Sequence, residues 1–280
     1  MLELLKVEWT KLFRTWRTYA GFGVIMVALG LVFTGLALSN PESMIDYRVR
    51  KILGNDFLLT GNFINGFFIG MIIMNTLFVH IPLLIAFVAG DLLSGEAASG
   101  TLRMFLSRPL TRIKVYTSKF ILGLIYSSLL VIFLGSVTFL LGWSFYGSGP
   151  LISVLKGLTI FTERQAALRY LLAYGLAIVP MWTVVSLALL FSSLVRNSLG
   201  PIVGTMGVII SFLIVNNLNI SFFESVSPYL FTNYLNIWEN AYHATIIWNE
   251  VIKSILILFL NSAIFFFIGA SIFVKKDILT

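Results

Sequence analysis

Residues 57–90 read FLLTGNFINGFFIGMIIMNTLFVHIPLLIAFVAG, 34 consecutive positions without Asp, Glu, Lys or Arg. A spanning helix needs about 20 apolar residues. The run therefore holds an external lead-in and one crossing, with the helix starting near residue 64. Five further uncharged runs lie at 18–41, 120–155, 170–195, 197–223 and 254–274. Barrel strands would be about 10 residues long with strict alternation, and no run alternates. The predicted fold class is all-α, a polytopic membrane protein with six transmembrane helices at about 18–40, 64–90, 115–143, 169–195, 199–221 and 252–274.

The composition demands the same class. Of 280 residues, 58% are hydrophobic and 11% charged, against about 25% charged in an ordinary soluble domain. Mean hydropathy is +0.95. A water-soluble globule cannot hide that much apolar surface, and disorder is excluded on the same ground. There is no cysteine, so disulfides, thiolate metal sites and cysteine nucleophiles are out. Two histidines cannot make a histidine metal cluster within one chain. The net charge of +7 sits beside the apolar spans, so it reads as topology and not as a nucleic-acid surface.

Basic residues near span ends mark the cytoplasmic side. With the N-terminus inside, that side holds 12 basic and five acidic residues, and the other side seven of each. Six spans with both termini cytoplasmic follow, in a bacterial inner or plasma membrane. Residues 1–17 carry charge throughout, which is not the pattern of a cleavable signal peptide. Leu2, Leu5, Trp9, Leu12, Phe13 and Trp16 recur at three- and four-residue steps, with Glu3, Lys6, Thr10, Arg14 and Arg17 between them. The spacing predicts an amphipathic interfacial helix over 1–17, ahead of a six-span domain over 18–280. A plain positive-inside anchor is the blander reading. On the outer side, PLISVLKGLTIFT (150–162) is too short to span and reads as lying along the interface. Residues 221–250, rich in aromatics and Asn, suit the headgroup level or a re-entrant pair of helices buried against protein.

Enzyme signatures are missing. There is no H-E-x-x-H, no G-x-S-x-G and no G-x-x-x-x-G-K-[ST] phosphate loop, so any ATPase must be another chain. Ser153 and Lys156 match S-x-x-K by letter only. The span centres carry no Asp, Glu, Lys or Arg, which disfavours an ion-coupled carrier. His80, two residues before Pro82, is the only ionisable candidate within a span; a hydrogen bond to a neighbouring helix is the ordinary expectation for it. Gly66 with Gly70, and Gly200 with Gly204, form two G-x-x-x-G pairs that allow close helix approach. Packing within one chain accounts for them at least as well as a dimer contact. Pro201 suits the first turn of a helix, making 196–198 a tight hairpin.

The connection at 91–112 is the informative one. Ser99 is expected to cap a short helix, whose apolar face is Leu102, Phe105 and Leu106, and which Pro109 ends. Thr111 is expected to cap the helix that follows. Such a face between basic flanks suits a groove on a soluble partner, or the lipid surface.

Glu96-x-x-Ser99-Gly100-Thr101-Leu102, then Leu106-Ser107-Arg108-Pro109-Leu110-Thr111-Arg112, then Lys119, resembles the signature loop of permease subunits of ABC-2 type transporters. Residues 272–278, IFVKKDI, are similar to the family's usual ending. The resemblance implies a transmembrane permease that exports a hydrophobic or amphipathic substrate, with no ATPase motif of its own. Its partners would be two copies of an ABC ATPase subunit, which would hold ATP and Mg, a second permease copy (identical or related), the lipid membrane, and in some members an extracytoplasmic protein. Residues 91–112 would be the coupling loop, with Glu96, Ser99, Gly100, Thr101, Leu102, Arg103, Phe105, Leu106, Arg108, Pro109 and Arg112 as its working residues. Glu96 would sit near the first turn of the loop's helix, where the dipole favours an acid, and could pair with the ATPase or with the N-terminal helix. That helix, through Trp9, Phe13, Arg14, Trp16 and Arg17, would brace the loop. A secondary transporter or channel working without an ATPase is the competing class.

Overall fold

The structure, a computed structural model, describes residues 1–38, 64–101, 111–153, 155, 159–218 and 225–276. Helix α1, Leu2–Arg14, ends where Thr15 turns extended, and α2, Trp16–Leu38, follows at once. Helix α3 runs Gly66–Ala98, with a 3-10 turn at Phe78–His80. Then come α4, Arg112–Tyr146, α5, Glu163–Leu194, α6, Gly200–Asn217, and α7, Trp248–Lys275. Helices α2, α3, α4, α5 and α7 are long and apolar enough to cross a membrane. Helix α6 is apolar but has only 18 residues, or about 27 Å at about 1.5 Å per residue. The 3-10 turn in α3 has a local cause: Pro82 has no N–H to donate, and Ile81 bonds to the Phe78 carbonyl instead.

Helix α5 is the hub. It packs against α3, α4, α6, α7 and the segment before α7. Its small polar side chains tie it to neighbours, as expected where apolar faces alone give no preference over lipid. Thr183 donates to the Leu258 carbonyl at 3.1 Å, Ser186 and Ser262 share a hydrogen bond at 2.5 Å, and the Trp182 indole donates to Ser128 at 2.9 Å.

At one end of the bundle, Asn65 caps α3 by accepting from the Phe67 and Phe68 amides and donating to the Pro150 carbonyl. There the sequence reading needs two refinements. Residues 151–153 and 159–161, expected only to be too short to span, have regular structure. They form an antiparallel hairpin, β1 Leu151–Ser153 against β2 Thr159–Phe161, with Leu151 opposite Phe161. The aromatic segment before α7 is a chain of 3-10 turns, Ser227–Tyr229, Phe231–Tyr234 and Ile237–Tyr242. Phe231, Trp238 and Tyr242 are fully buried, so this segment packs into protein rather than resting at its edge. Arg169 of α5 holds its end, donating to the Ala241 and Ala244 carbonyls.

All four glycines of the G-x-x-x-G pairs are used within the chain. A Cβ on Gly66 would stand 2.8 Å from the Trp143 amide nitrogen, and one on Gly70 would strike the Tyr170 ring. Gly200 faces Asn197 and Val195, and Gly204 faces the Phe191 ring.

Candidate functional site

The other end of the bundle carries α1. Leu4, Glu8 and Leu12, four residues apart, form its buried stripe. A carboxylate inside such a stripe needs a charged partner. It has one in Lys119, two turns into α4: Lys119 Nζ lies 2.8 Å from Glu8 Oε2, with the two side chains 1% and 2% exposed. Lys119 also lies 2.9 Å from Glu96 Oε1. Lys11 closes the ring, 3.1 Å from Glu8 Oε1 and 3.1 Å from Glu96 Oε1. Two acids and two ammonium groups therefore clamp α1, the end of α3 and the start of α4 to one another. Burial by itself would raise the Glu8 carboxyl, but Lys119 and then Lys11 outweigh it and hold it below its ordinary value. For Lys11, burial opposes the charge, while Glu96 and Glu8 more than compensate and raise its ammonium.

Further bonds reinforce the end of α3. Arg17, in α2, pairs with Asp91 at 2.5 Å. Ser192 of α5 accepts from the Leu93 and Ser94 amides and donates to the Gly90 carbonyl. Arg112, first residue of α4, donates to the carbonyls of Val274 and Lys276. Lys276 in turn donates to the Ser193 and Leu194 carbonyls at the end of α5.

The motif residues play local parts different from those expected. Glu96 lies in the last turn of the final segment of α3, Asp91–Ala98. The dipole disfavours an acid there, and the two lysines supply what it does not. Ser99 follows that helix as its C-cap, and its hydroxyl donates back to the Glu96 carbonyl at 3.3 Å. Gly100 is left-handed, φ +71°, which ends a helix at no steric cost. Glu96 to Gly100 thus end one helix, and Thr101 is again helical. Thr101 shares a hydrogen bond with Ser99 at 2.9 Å. Thr111 occupies the N-cap of α4, but its hydroxyl makes no capping bond. Leu102, Arg103, Phe105, Leu106, Arg108 and Pro109 lie outside the described residues.

Around α1, the aromatics face away from the ring. Trp9 is 41% exposed and Trp16 72%, Phe13 is partly buried with its ring tilted against Trp9 at 4.4 Å, and Arg14 is exposed. Trp16 and Arg17 belong to α2, because Thr15 breaks the helix and both Thr15 and Thr18 cap the Leu12 carbonyl. Glu8, Lys11 and Asp91 are members of the site that the loop motif does not contain. For Glu8 the signal was a charge at the centre of the Leu4, Glu8, Leu12 stripe; Lys11 and Asp91 had no such signal.

A cleft of about 500 Å³ opens beside the ring, lined by Glu8, Lys11, Arg17, Asp91, Glu96 and Lys119 among others. Asp91 Oδ1 and Glu96 Oε2 are buried there without a hydrogen-bond partner among the described residues. Among those residues, no three of His, Cys, Asp and Glu come together as a metal site would need.

Five membrane-length apolar helices, one of them the hub α5 packed on three of the others, define an α-helical polytopic membrane protein. The chain belongs to the family described as "Protein of unknown function (DUF2705)", which matches residues 24–279. Helix α1, with Glu8 and Lys11, precedes the matched region. No curated protein matches the chain.

Proposed function

We propose that the chain is the transmembrane permease subunit of an ATP-driven exporter of the ABC-2 type. In this reading α6 is a sixth span, both termini are cytoplasmic, and the ringed end of the bundle faces the cytoplasm. The connection at 91–112 is the coupling loop that two ATPase chains move, and a second permease copy completes the pathway. The cargo is hydrophobic or amphipathic, since the span centres are apolar. An extracytoplasmic partner protein is a possible addition to the assembly.

The observation that carries the reading is the ring of Glu8, Lys11, Glu96 and Lys119. Glu96 precedes the 102–110 stretch by six residues and Lys119 follows it by nine. Force applied between them would act on two anchored points, so it would reach α3 and α4 together. A loop that only connected two helices would need no such clamp. The two unpartnered carboxylate oxygens in the cleft also offer acceptors to a basic group of an ATPase.

The test is co-expression with an ABC ATPase encoded beside this chain, co-purification, and ATP-driven export from proteoliposomes. The expected result is a complex in which Glu96→Ala and Leu102→Asp insert normally but lose transport while ATP is still hydrolysed. Absence of ATPase association, or full transport in both variants, overturns the reading.

A further inference from the structure

Helix α3 carries a polar stripe that the described residues leave uncovered. Asn75, Thr76, Val79, His80 and Leu83 follow one another at the one- and three-residue steps of a single helix face, and all five are exposed. On the opposite side Met74, Phe78, Ile81 and Pro82 are buried. The stripe lies deep in the span, inside the charge-free run 57–90. Asn75 is about 14 Å along the helix from Gly66, and His80 about 17 Å from Asp91, at about 1.5 Å per residue. The Thr76 hydroxyl donates to the Ile72 carbonyl at 3.0 Å. The Asn75 amide and the His80 imidazole make no side-chain hydrogen bond among the described residues.

The outward face of α7 is different. Its exposed positions in the middle of the helix are Leu256, Phe259, Leu260 and Ile264, all apolar and suited to lipid. Hydrocarbon offers an amide or an imidazole no hydrogen-bond partner, so polar groups at that depth turn toward other polar groups. The chemistry of the stripe says which ones. A carboxamide carries donors and an acceptor, and a neutral imidazole one of each. Each can therefore pair with its own copy, as an isologous two-fold contact requires; a stripe of like charges could not. We infer that this face of α3 is the contact between two copies of the chain in the membrane, with Asn75 and His80 hydrogen-bonded across the two-fold axis and Val79 packed between them. The assignment gives the second copy of the transport proposal a surface, but it rests on the stripe alone, and its test uses neither nucleotide nor ATPase.

The chain has no cysteine, so single introduced cysteines report on the contact directly. Full-length Val79→Cys and Leu83→Cys chains keep both polar groups of the stripe, and Leu260→Cys marks the outward face of α7. A disulfide needs two Cα atoms within about 7 Å. Oxidation in native membranes should give a disulfide-linked dimer from at least one stripe position and leave Leu260→Cys monomeric. In liposomes of stepped lipid-to-protein ratio, energy transfer between donor- and acceptor-labelled wild-type chains should saturate as a dimer. Replacing Asn75 and His80 together by Leu keeps the span apolar. It should raise the chain density for half-dimerisation about three- to thirtyfold for each hydrogen bond lost. Monomers at every density, or unchanged association of a double variant that inserts normally, would overturn the assignment. Dimers cross-linked at Leu260→Cys and at neither stripe position would also overturn it, while leaving the transport proposal its second copy. Cross-linking at Val79→Cys and Leu83→Cys keeps the test decisive if the double variant fails to fold.

Discussion

Lys119 Nζ stands 2.8 Å from Glu8 Oε2, across 111 positions of sequence, with both side chains almost wholly withdrawn from solvent. Removing one member of such a pair leaves the other charge buried, at a cost of about 3–5 kcal/mol. Lys119→Ala should therefore destabilise the chain by about 3 kcal/mol in denaturant unfolding in detergent. Replacing both by Met should cost clearly less than the sum of the single changes, because no buried charge is stranded. Strict additivity would show that the two are not coupled.

The ring also sets a pH window. The Glu8 carboxyl is held below its reference value of 4.5. Its contribution is therefore present above that value and is lost as pH falls through the lowered one. The Lys11 ammonium is raised above 10.5, so its contribution is present below that value and is lost as pH rises through the raised one. Hydrogen-exchange protection of the α1 amides should be flat from about pH 5 to about pH 10 and fall beyond both limits. Glu8→Gln should remove the acid limb and leave the alkaline one.

Much of this was readable from the sequence, for physical reasons. Uncharged runs overlap the long helices because a membrane span must exclude charge, but the helices extend past them, α3 to Ala98 and α5 back to Glu163. The faces were harder. The spacing puts Trp9 and Trp16 with Leu5 and Leu12 on one apolar face of an interfacial helix; both are exposed on the protein's surface, while Leu4, Glu8 and Leu12 are buried. In a membrane protein, lipid-facing and protein-facing sides are equally apolar, so periodicity alone does not tell them apart. The 3-10 segment had no legible period, since its turns are three to six residues long. His80 was expected to bond to a neighbouring helix; it is exposed and makes no hydrogen bond among the described residues. The resemblance placed Glu96 near the first turn of a helix, but it lies in the last turn of Asp91–Ala98. Gly100, left-handed two residues beyond Ala98, marks the stop.

Close packing of two backbones gives a sharper mutational contrast. At Gly66 a Cβ would stand 2.8 Å from Trp143 N and 2.9 Å from Gly142 C. Both are main-chain atoms and cannot swing aside. Gly66→Ala should destabilise by about 2 kcal/mol, as overpacking typically does. At Gly23 nothing lies within 4 Å. Gly23→Ala should be neutral or stabilise by up to about 1 kcal/mol through helix propensity. Unfolding of the two variants side by side checks both signs.

At the end of α5, Lys276 Nζ donates to the carbonyls of Ser193 at 2.8 Å and Leu194 at 3.1 Å. A cation on the last turn satisfies carbonyls that have no helical partner and opposes the dipole. Lys276→Met should cost about 1 kcal/mol and speed amide exchange in the final turn of α5. Lys276→Arg should restore most of the protection. Unchanged exchange in the Met variant would show that the contact contributes nothing.

The clamp also imposes an order on biogenesis. Glu8 is synthesised with Lys11 three residues behind it, but its buried partner Lys119 follows 111 positions later, and the Glu96 that Lys11 also meets follows Lys11 by 85. Until α4 has been synthesised, α1 carries a carboxylate with no buried cation to meet it. Helix α1 is therefore made before α4 but seated only after it. Its docking is a natural checkpoint, reporting that the chain has inserted correctly at least as far as its third long helix.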